Sequence, residues 1–361
     1  MSLNNIIPIF LLGTLSFLIA LAWAPGLGRL LYRKKFWKHE VRTRAVDGAA
    51  ASIFARLHKN KEIGTPRMAG VLIWVTTLFV TLSFFLLDQF FPRSIFSSFN
   101  FLSRSQTWIP FFTLMAGSLI GMLDDILVIR GFGERTKGGG IRFRHRLILV
   151  FMIALVGAWW FYDKLEWNSL HIPLVGDLTL GWLYIPLFVI VMIIMFGSSV
   201  VDGIDGLAGG IFAILFATFA AIAFSRTQFD LAAFCAVVAG ALLAFLWFNI
   251  PPAHFFMGET GILGLTITLA VIAFITDSLF ILAFAGFVLW IEMASVIIQM
   301  VSKKFRKKKV FLAAPFHHHL EAKGWPSYTI TMRFWMITAV MSLVGLTIAL
   351  LDKTYQLPFI G

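Results

Sequence analysis

The sequence predicts an all-α, polytopic integral membrane protein of about ten transmembrane helices, and three observations carry that expectation. Of its 361 residues 59% are hydrophobic and 13% charged, with mean hydropathy +0.87, where soluble domains run at about 45–50% apolar and about 25% charged. Ten apolar runs approach the about 20 residues a bilayer requires. They centre on Ile6–Ala24, Met68–Leu87, Trp108–Ile129, Leu147–Tyr162, Leu180–Phe196, Leu207–Phe224, Leu231–Phe248, Ile262–Ile275, Leu279–Val301 and Phe334–Leu351. Finally, 25 of the 30 lysines and arginines fall in three windows, residues 26–67, 129–146 and 303–333, and such an excess marks cytoplasmic loops.

Taken in order, the first run has no basic residues ahead of it and reads as a retained helix rather than a cleaved signal. The eighth run is short, and its boundary with the ninth at Thr276 and Asp277 is soft. Arg93, Arg104, Lys164, Arg226 and Lys353 lie opposite the basic windows. Both termini are therefore expected outside the cytoplasm, with the loops after spans one, three, five, seven and nine inside. The net charge of +12 is then mostly topology and gives no reason to expect a nucleic-acid partner. Cys235, the single cysteine, excludes an intrachain disulfide and reads as a small buried hydrophobe. With no repeat or low-complexity segment, residues 1–361 are expected to form one domain. The run "KKFRKKK" (Lys303–Lys309) reads as a membrane-surface anchor able to meet lipid phosphates.

Every conspicuous polar cluster falls on the predicted cytoplasmic side. "GSLIGMLDDILVIRG" (Gly117–Gly131) places Asp124 and Asp125 at the inner end of span three, where charge is expensive and is a functional-site hypothesis by default. Neighbouring helical residues diverge by about 100°, so the two acids need not share one ligand. "SSVVDGIDGLAGG" (Ser198–Gly210) brings Asp202 and Asp205 with glycines that let backbone approach a ligand. "FNIPPAHFFMGETG" (Phe248–Gly261) brings Glu259, with Phe255 and Phe256 placed to stack on a base. "APFHHHLEAKGW" (Ala314–Trp325) brings three histidines, better suited to hydrogen bonding a phosphate or sugar, with partial positive charge, than to a metal. Carboxylates of this kind suit Mg2+, which keeps waters and shares ligands with substrate phosphates.

Together these segments resemble the polyprenyl-phosphate phospho-hexose transferases, and within them the phospho-N-acetylmuramoyl-pentapeptide transferases. "IGTPRMAGV" is similar to that family's GTP-T-M-G-G segment, "GMLDDI" to G-x-x-D-D, "DGIDGLA" to D-G-L-D-G-L-A, "FNIPPAHFFMGETG" to F-N-x-x-P-A-x-x-F-M-G-D-x-G, and "APFHHHLEAKGWP" to A-P-x-H-H-H-x-E-x-x-G-W-P. The chain departs from the pattern at Arg67, Ala69, Val128 (lysine in the family), Ser199 (asparagine), Glu259 (aspartate) and Ile262 (serine). Arg130 and Arg146 are the candidates to restore the charge lost at Val128.

The resemblance implies a bacterial inner-membrane enzyme that moves a phospho-sugar from a UDP-linked amino sugar donor to undecaprenyl phosphate, releasing UMP and making lipid I for peptidoglycan. It implies Mg2+ on Glu259 and Asp125, and catalytic roles for Asp124, Asp125 and Asp205. It places the donor on Lys61, Thr65, Ser199, Asp202, Gly203, Asn249, Phe256, His317, His318 and His319. Membrane lipids are the other expected partners, and the sequence leaves a homodimer open. Two rivals also stand: transfer of N-acetylglucosamine phosphate, and a non-catalytic scaffold or transporter.

Overall fold

The computed structural model describes residues 3–38, 63–103, 106–133 and 139–356. It is an all-α bundle with one small hairpin. The helices are α1 (Leu3–Arg33), α2 (Val71–Phe90), α3 (Trp108–Ile129), α4 (Phe143–Trp159), α5 (Tyr184–Gly197), α6 (Leu207–Ser225), α7 (Phe229–Asn249), α8 (Glu259–Ile275), α9 (Leu279–Ala285), α10 (Phe287–Arg306), α11 (Phe316–Ala322) and α12 (Ser327–Gln356). Among the described residues, eight helical segments are long and apolar enough to cross a membrane.

The two expected spans outside that set differ for physical reasons. Helix α8 has 17 residues, and every one from Thr260 to Ile275 is buried. A helix apolar all round belongs inside a bundle, and α8 is enclosed by α3 and α5 with α2, α6 and α9. The expected ninth span, Leu279–Val301, is not one helix: α9 and α10 meet at Gly286 at 78°. The bend frees the Ala283 carbonyl, which accepts a hydrogen bond from Trp290 Nε1 at 2.9 Å; a broken helix is tolerated where such a side chain satisfies the released backbone.

Helix α3 packs extensively along α8. Gly117 and Gly121 of α3 form a small-x-x-x-small stripe, which lets backbones approach without intervening side chains. A Cβ at Gly117 would lie 2.8 Å from the Gly264 Cα, and one at Gly121 would collide with the Glu259 carbonyl. One turn further along α3 stand Asp124 and Asp125, delivered to the first turn of α8.

At the opposite end of the bundle an antiparallel hairpin, β1 (Ser169–Ile172) and β2 (Gly176–Thr179), was not expected from sequence. Buried His171 bonds Asp177 Oδ1 through Nδ1 (2.6 Å) and Asp352 Oδ2 of α12 through Nε2 (2.8 Å). Leu174 N–H donates to Asp352 Oδ1 (2.9 Å), and Arg226 Nη2 stands 3.7 Å from Asp352 Oδ2. Burial pulls the His171 pKa down, but the hydrogen bonds from Asp177 and Asp352 outweigh it and the net shift is upward. A raised folded-state pKa gives stability that is full below the unfolded value, about 6.5, and lost as pH rises through the folded value. Hydrogen exchange at the Leu174 amide is therefore expected to quicken as pH rises through that window beyond the intrinsic increase. In His171→Gln this extra pH dependence disappears.

Candidate active site

The acids expected from sequence converge at the end of α3. Asp125 is wholly buried, and its Oδ2 accepts from Thr260 N–H (2.9 Å) and Thr260 Oγ1 (2.7 Å). It thus satisfies a first-turn donor of α8, where the helix dipole also favours negative charge. Gly258, just before α8, has φ +72°, and a Cβ there would meet the Asp125 carboxylate; both facts require glycine. Asp124 turns elsewhere, as adjacent helical positions must: Oδ1 accepts from Ile141 N–H (2.5 Å), and Oδ2 lies 3.6 Å from Arg146 Nη1.

Arg146, on the first turn of α4, places the same Nη1 2.5 Å from Glu259 Oε1. Arg67 Nε lies 3.5 Å from Asp125 Oδ1. Half-buried Asp202 accepts from Gly258 N–H and feels the charges of Arg67, Glu259 and Asp125. Burial pushes its carboxyl up to about 7, against the pull of Arg67. Four carboxylates and two guanidinium groups thus share one pocket. Glu259 Oε2 and Arg146 Nε are buried without a hydrogen bond, and Asp125 Oδ1 makes none beyond its ion pair with Arg67.

Of the two arginines expected to replace the charge lost at Val128, Arg146 reaches the acids, whereas Arg130 stands exposed at the C-cap of α3. The second cation is Arg67, which the sequence reading noted only as a departure.

The segment carrying Arg67 is held by backbone bonds. Phe256 N–H donates to the Pro66 carbonyl (2.7 Å), Ala69 N–H to Phe256 O (3.0 Å) and Gly70 N–H to Met257 O (2.9 Å). This ladder ties the Pro66–Gly70 segment to Phe256 and Met257; Thr65 and Phe256 are half-buried, while Lys61 lies outside the described residues. Phe255, expected as a stacking partner, is instead core, packed on Phe245 and Phe248 at 5.9 and 5.7 Å between ring centroids, whereas Phe256 is half-buried.

Asn249 and Asp205 form a neighbouring group. Gly206 N–H donates to Asn249 Oδ1 (3.0 Å), and Asn249 Nδ2 donates to the Phe255 carbonyl (2.8 Å). Both ends of that amide tie the Asp202–Gly206 turn to the Ile250–Phe255 loop. Asp205 Oδ2 accepts from Ala253 N–H (3.4 Å), and its carbonyl takes the Thr331 hydroxyl (2.9 Å). The Ser199 carbonyl accepts from Asp202 N–H at 3.3 Å.

The three histidines of α11 diverge. His317 is fully buried, bonds Glu292 Oε2 through Nδ1 (2.8 Å), and rests its ring on Gly203, where a Cβ would overlap Nε2. His317 Nε2 has no hydrogen-bond partner. His318 Nδ1 bonds Glu321 Oε2 (2.7 Å), which in turn takes Ser327 Oγ on Oε1 (2.6 Å). His319 lies between Phe311 and Phe316, and its Nδ1 accepts from Leu312 N–H (3.1 Å). Burial, with Lys323 nearby, holds its pKa below the usual histidine value, so the positive charge expected there is not supplied by His319.

Sequence reading missed Glu292, a fully buried carboxylate of α10. Its signal was a lone acid within an apolar run. Glu292 also accepts the His317 backbone N–H at 3.1 Å. Glu292→Ala leaves those donors buried and unpaired, so a loss of about 10–100-fold in donor use is expected, with divalent-cation affinity unchanged; a kinetic and cation-binding comparison checks both.

A buried acid–arginine pocket at the ends of apolar helices defines a membrane enzyme for phosphorylated substrates, and comparison with known proteins agrees. Residues 107–277 match the Glycosyl transferase family 4. The phospho-N-acetylmuramoyl-pentapeptide-transferase of a Geobacillus species is 34% identical, covering 92% of this chain and 95% of its own. Those of Pelagibacter ubique and a Ruegeria species are 34% and 36% identical over 80% and 79% of this chain, covering 81% and 80% of their own. The chain belongs to the phospho-N-acetylmuramoyl-pentapeptide-transferase family, whose members are phospho-sugar transferases.

Proposed function

We propose that the protein transfers phospho-N-acetylmuramoyl-pentapeptide from its UDP-linked donor to undecaprenyl phosphate, giving lipid I and UMP, at the cytoplasmic face of a bacterial inner membrane. The observation that carries this reading is a buried carboxylate cluster held by two guanidinium groups: Asp125 Oδ1 stands 3.5 Å from Arg67 Nε, and Glu259, with Oε1 on Arg146, keeps Oε2 buried without a hydrogen bond. That donor set fits a hard divalent cation, and Mg2+ commonly takes one or two carboxylates and completes its shell with water and substrate phosphate. Among the described residues no group of three or more histidine, cysteine, aspartate or glutamate side chains is arranged to hold a metal ion, so the remaining ligands would have to come from water and the donor phosphates. When bound, Mg2+ would neutralise charge on the diphosphate and on departing UMP.

The remaining work falls to the chain. An oxygen of the lipid phosphate bonds to the sugar-bearing phosphorus as the bond from that phosphorus to the bridging oxygen breaks, and the electron pair leaves on UMP. Asp124 orients the attacking phosphate and takes any proton it carries; because phosphate monoesters have a second pKa of about 6, little base strength is needed. Arg67 and Arg146 hold diphosphate oxygens. Phe256, Asp202 and the Ser199–Gly203 turn receive the nucleoside, with Asp205 and Asn249 fixing that turn. Thr65, Lys61, His317, His318 and His319 meet phosphate, sugar or peptide.

The test measures UMP release by purified protein with undecaprenyl phosphate, with and without Mg2+, for the UDP-N-acetylmuramoyl-pentapeptide and UDP-N-acetylglucosamine donors in parallel. Mg2+-dependent release from the first alone is expected. Release from the second alone replaces the donor assignment, and release from neither removes the enzyme reading.

A further inference from the structure

We propose that Arg146 is a resident counter-ion that competes with the divalent cation for Glu259 and moves to the donor diphosphate when the donor binds. The inference rests on the transferase reading above and concerns how its site is loaded.

Three observations carry it. Nη1 of Arg146 bridges Glu259 Oε1 at 2.5 Å and Asp124 Oδ2 at 3.6 Å, so one guanidinium holds together two carboxylates that would otherwise repel. The opposite oxygen of Glu259, Oε2, is buried without a hydrogen bond, so the cluster keeps acceptor capacity that Arg146 does not use. Nε of Arg146 is itself buried without a partner, so the guanidinium keeps a donor for another oxygen. A planar group with spare donors matches phosphate oxygens.

The charges give the direction of the effect. Asp124, Asp125, Asp202 and Glu259 face Arg67 and Arg146. A positive charge in contact with a metal-binding carboxylate disfavours a second cation there, and in an enclosed site water screens that repulsion poorly. Arg146 therefore weakens cation binding on its own and strengthens binding of the diphosphate. The guanidinium groups hold the carboxylates together, and the cation is held well only when a phosphate draws Arg146 aside. A purely structural Arg146 would move both affinities the same way; a counter-ion moves them oppositely.

The experiment measures Mn2+ binding by electron paramagnetic resonance without nucleotide, and UDP binding by calorimetry at saturating Mg2+, in detergent-solubilised wild type, Arg146→Gln, Arg146→Met and Arg146→Lys. For Gln and Met, Mn2+ affinity is expected to rise about tenfold while UDP affinity falls about tenfold. For Lys, which keeps the charge but not the planar fork, Mn2+ affinity should return to within about threefold of wild type while UDP affinity stays reduced. Gln and Met remove the charge through different shapes, so a folding defect in one leaves the other to decide. If neither neutral variant folds, Lys decides: a tenfold rise in Mn2+ affinity on charge-conserving replacement overturns the proposal. Mn2+ affinity that falls or stays constant in the neutral variants also overturns it. Wild-type protein that binds neither Mn2+ nor UDP overturns the transferase reading instead, so the two failures are distinct.

Discussion

Asp124→Asn is expected to lower transfer by about 10²–10⁴-fold, the range supplied by a positioned acid–base group. The variant is nearly isosteric, and its carboxamide oxygen can still accept the Ile141 amide that Asp124 now holds at 2.5 Å. The Gly139–Ile141 turn and the packing of α3 on α8 should therefore persist. What is lost is the charge facing Arg146 and the incoming lipid phosphate. Initial rates of UMP release at saturating donor, with thermal unfolding in the same detergent, separate chemistry from folding. Near-normal turnover would remove Asp124 from the reaction.

Glu259→Gln should cost orders of magnitude as well, for a different reason. Glu259 is in the first turn of α8, with one oxygen on Arg146 and the other buried and unpartnered; the neutral amide removes a ligand charge on which cation binding depends. Glu259→Asp, which restores the residue usual in the family, is expected not to raise activity. Shortening by one methylene withdraws the carboxylate from Arg146, whose Nη1 lies 2.5 Å away. The loop is fitted to the longer acid, and Ile262, where the family has serine, is itself buried in the helix core. Magnesium titrations of UMP release for the three forms check this. Unchanged apparent cation affinity in Glu259→Gln would take Glu259 out of the metal site.

The effect of these substitutions depends on how α3 meets α8. Asp124 and Asp125 are adjacent in sequence, yet one binds the Ile141 amide and Arg146 while the other caps α8 through Thr260. Asparagine at 124 tests charge, whereas any change at 125 also disturbs the start of a buried helix.

By itself the sequence determined the membrane class, because apolar runs of bilayer length and confined positive charge are consequences of local composition. It also pointed to the acid cluster, because Asp124, Asp125, Asp202 and Glu259 are charges that the ends of membrane helices do not carry without cause. Only the tertiary structure decided which charges meet. Arg67 and Arg146 are separated by 79 positions and reach one cluster from a loop and from the first turn of α4, so their pairing with Asp125 and Glu259 has no local signature. The same holds for Glu292 with His317, for the break at Gly286, and for the Ser169–Thr179 hairpin pinned by Asp352. Periodicity and composition report the environment of one segment at a time; long-range pairs, bends and caps follow from how segments pack, and those the folded chain alone supplies.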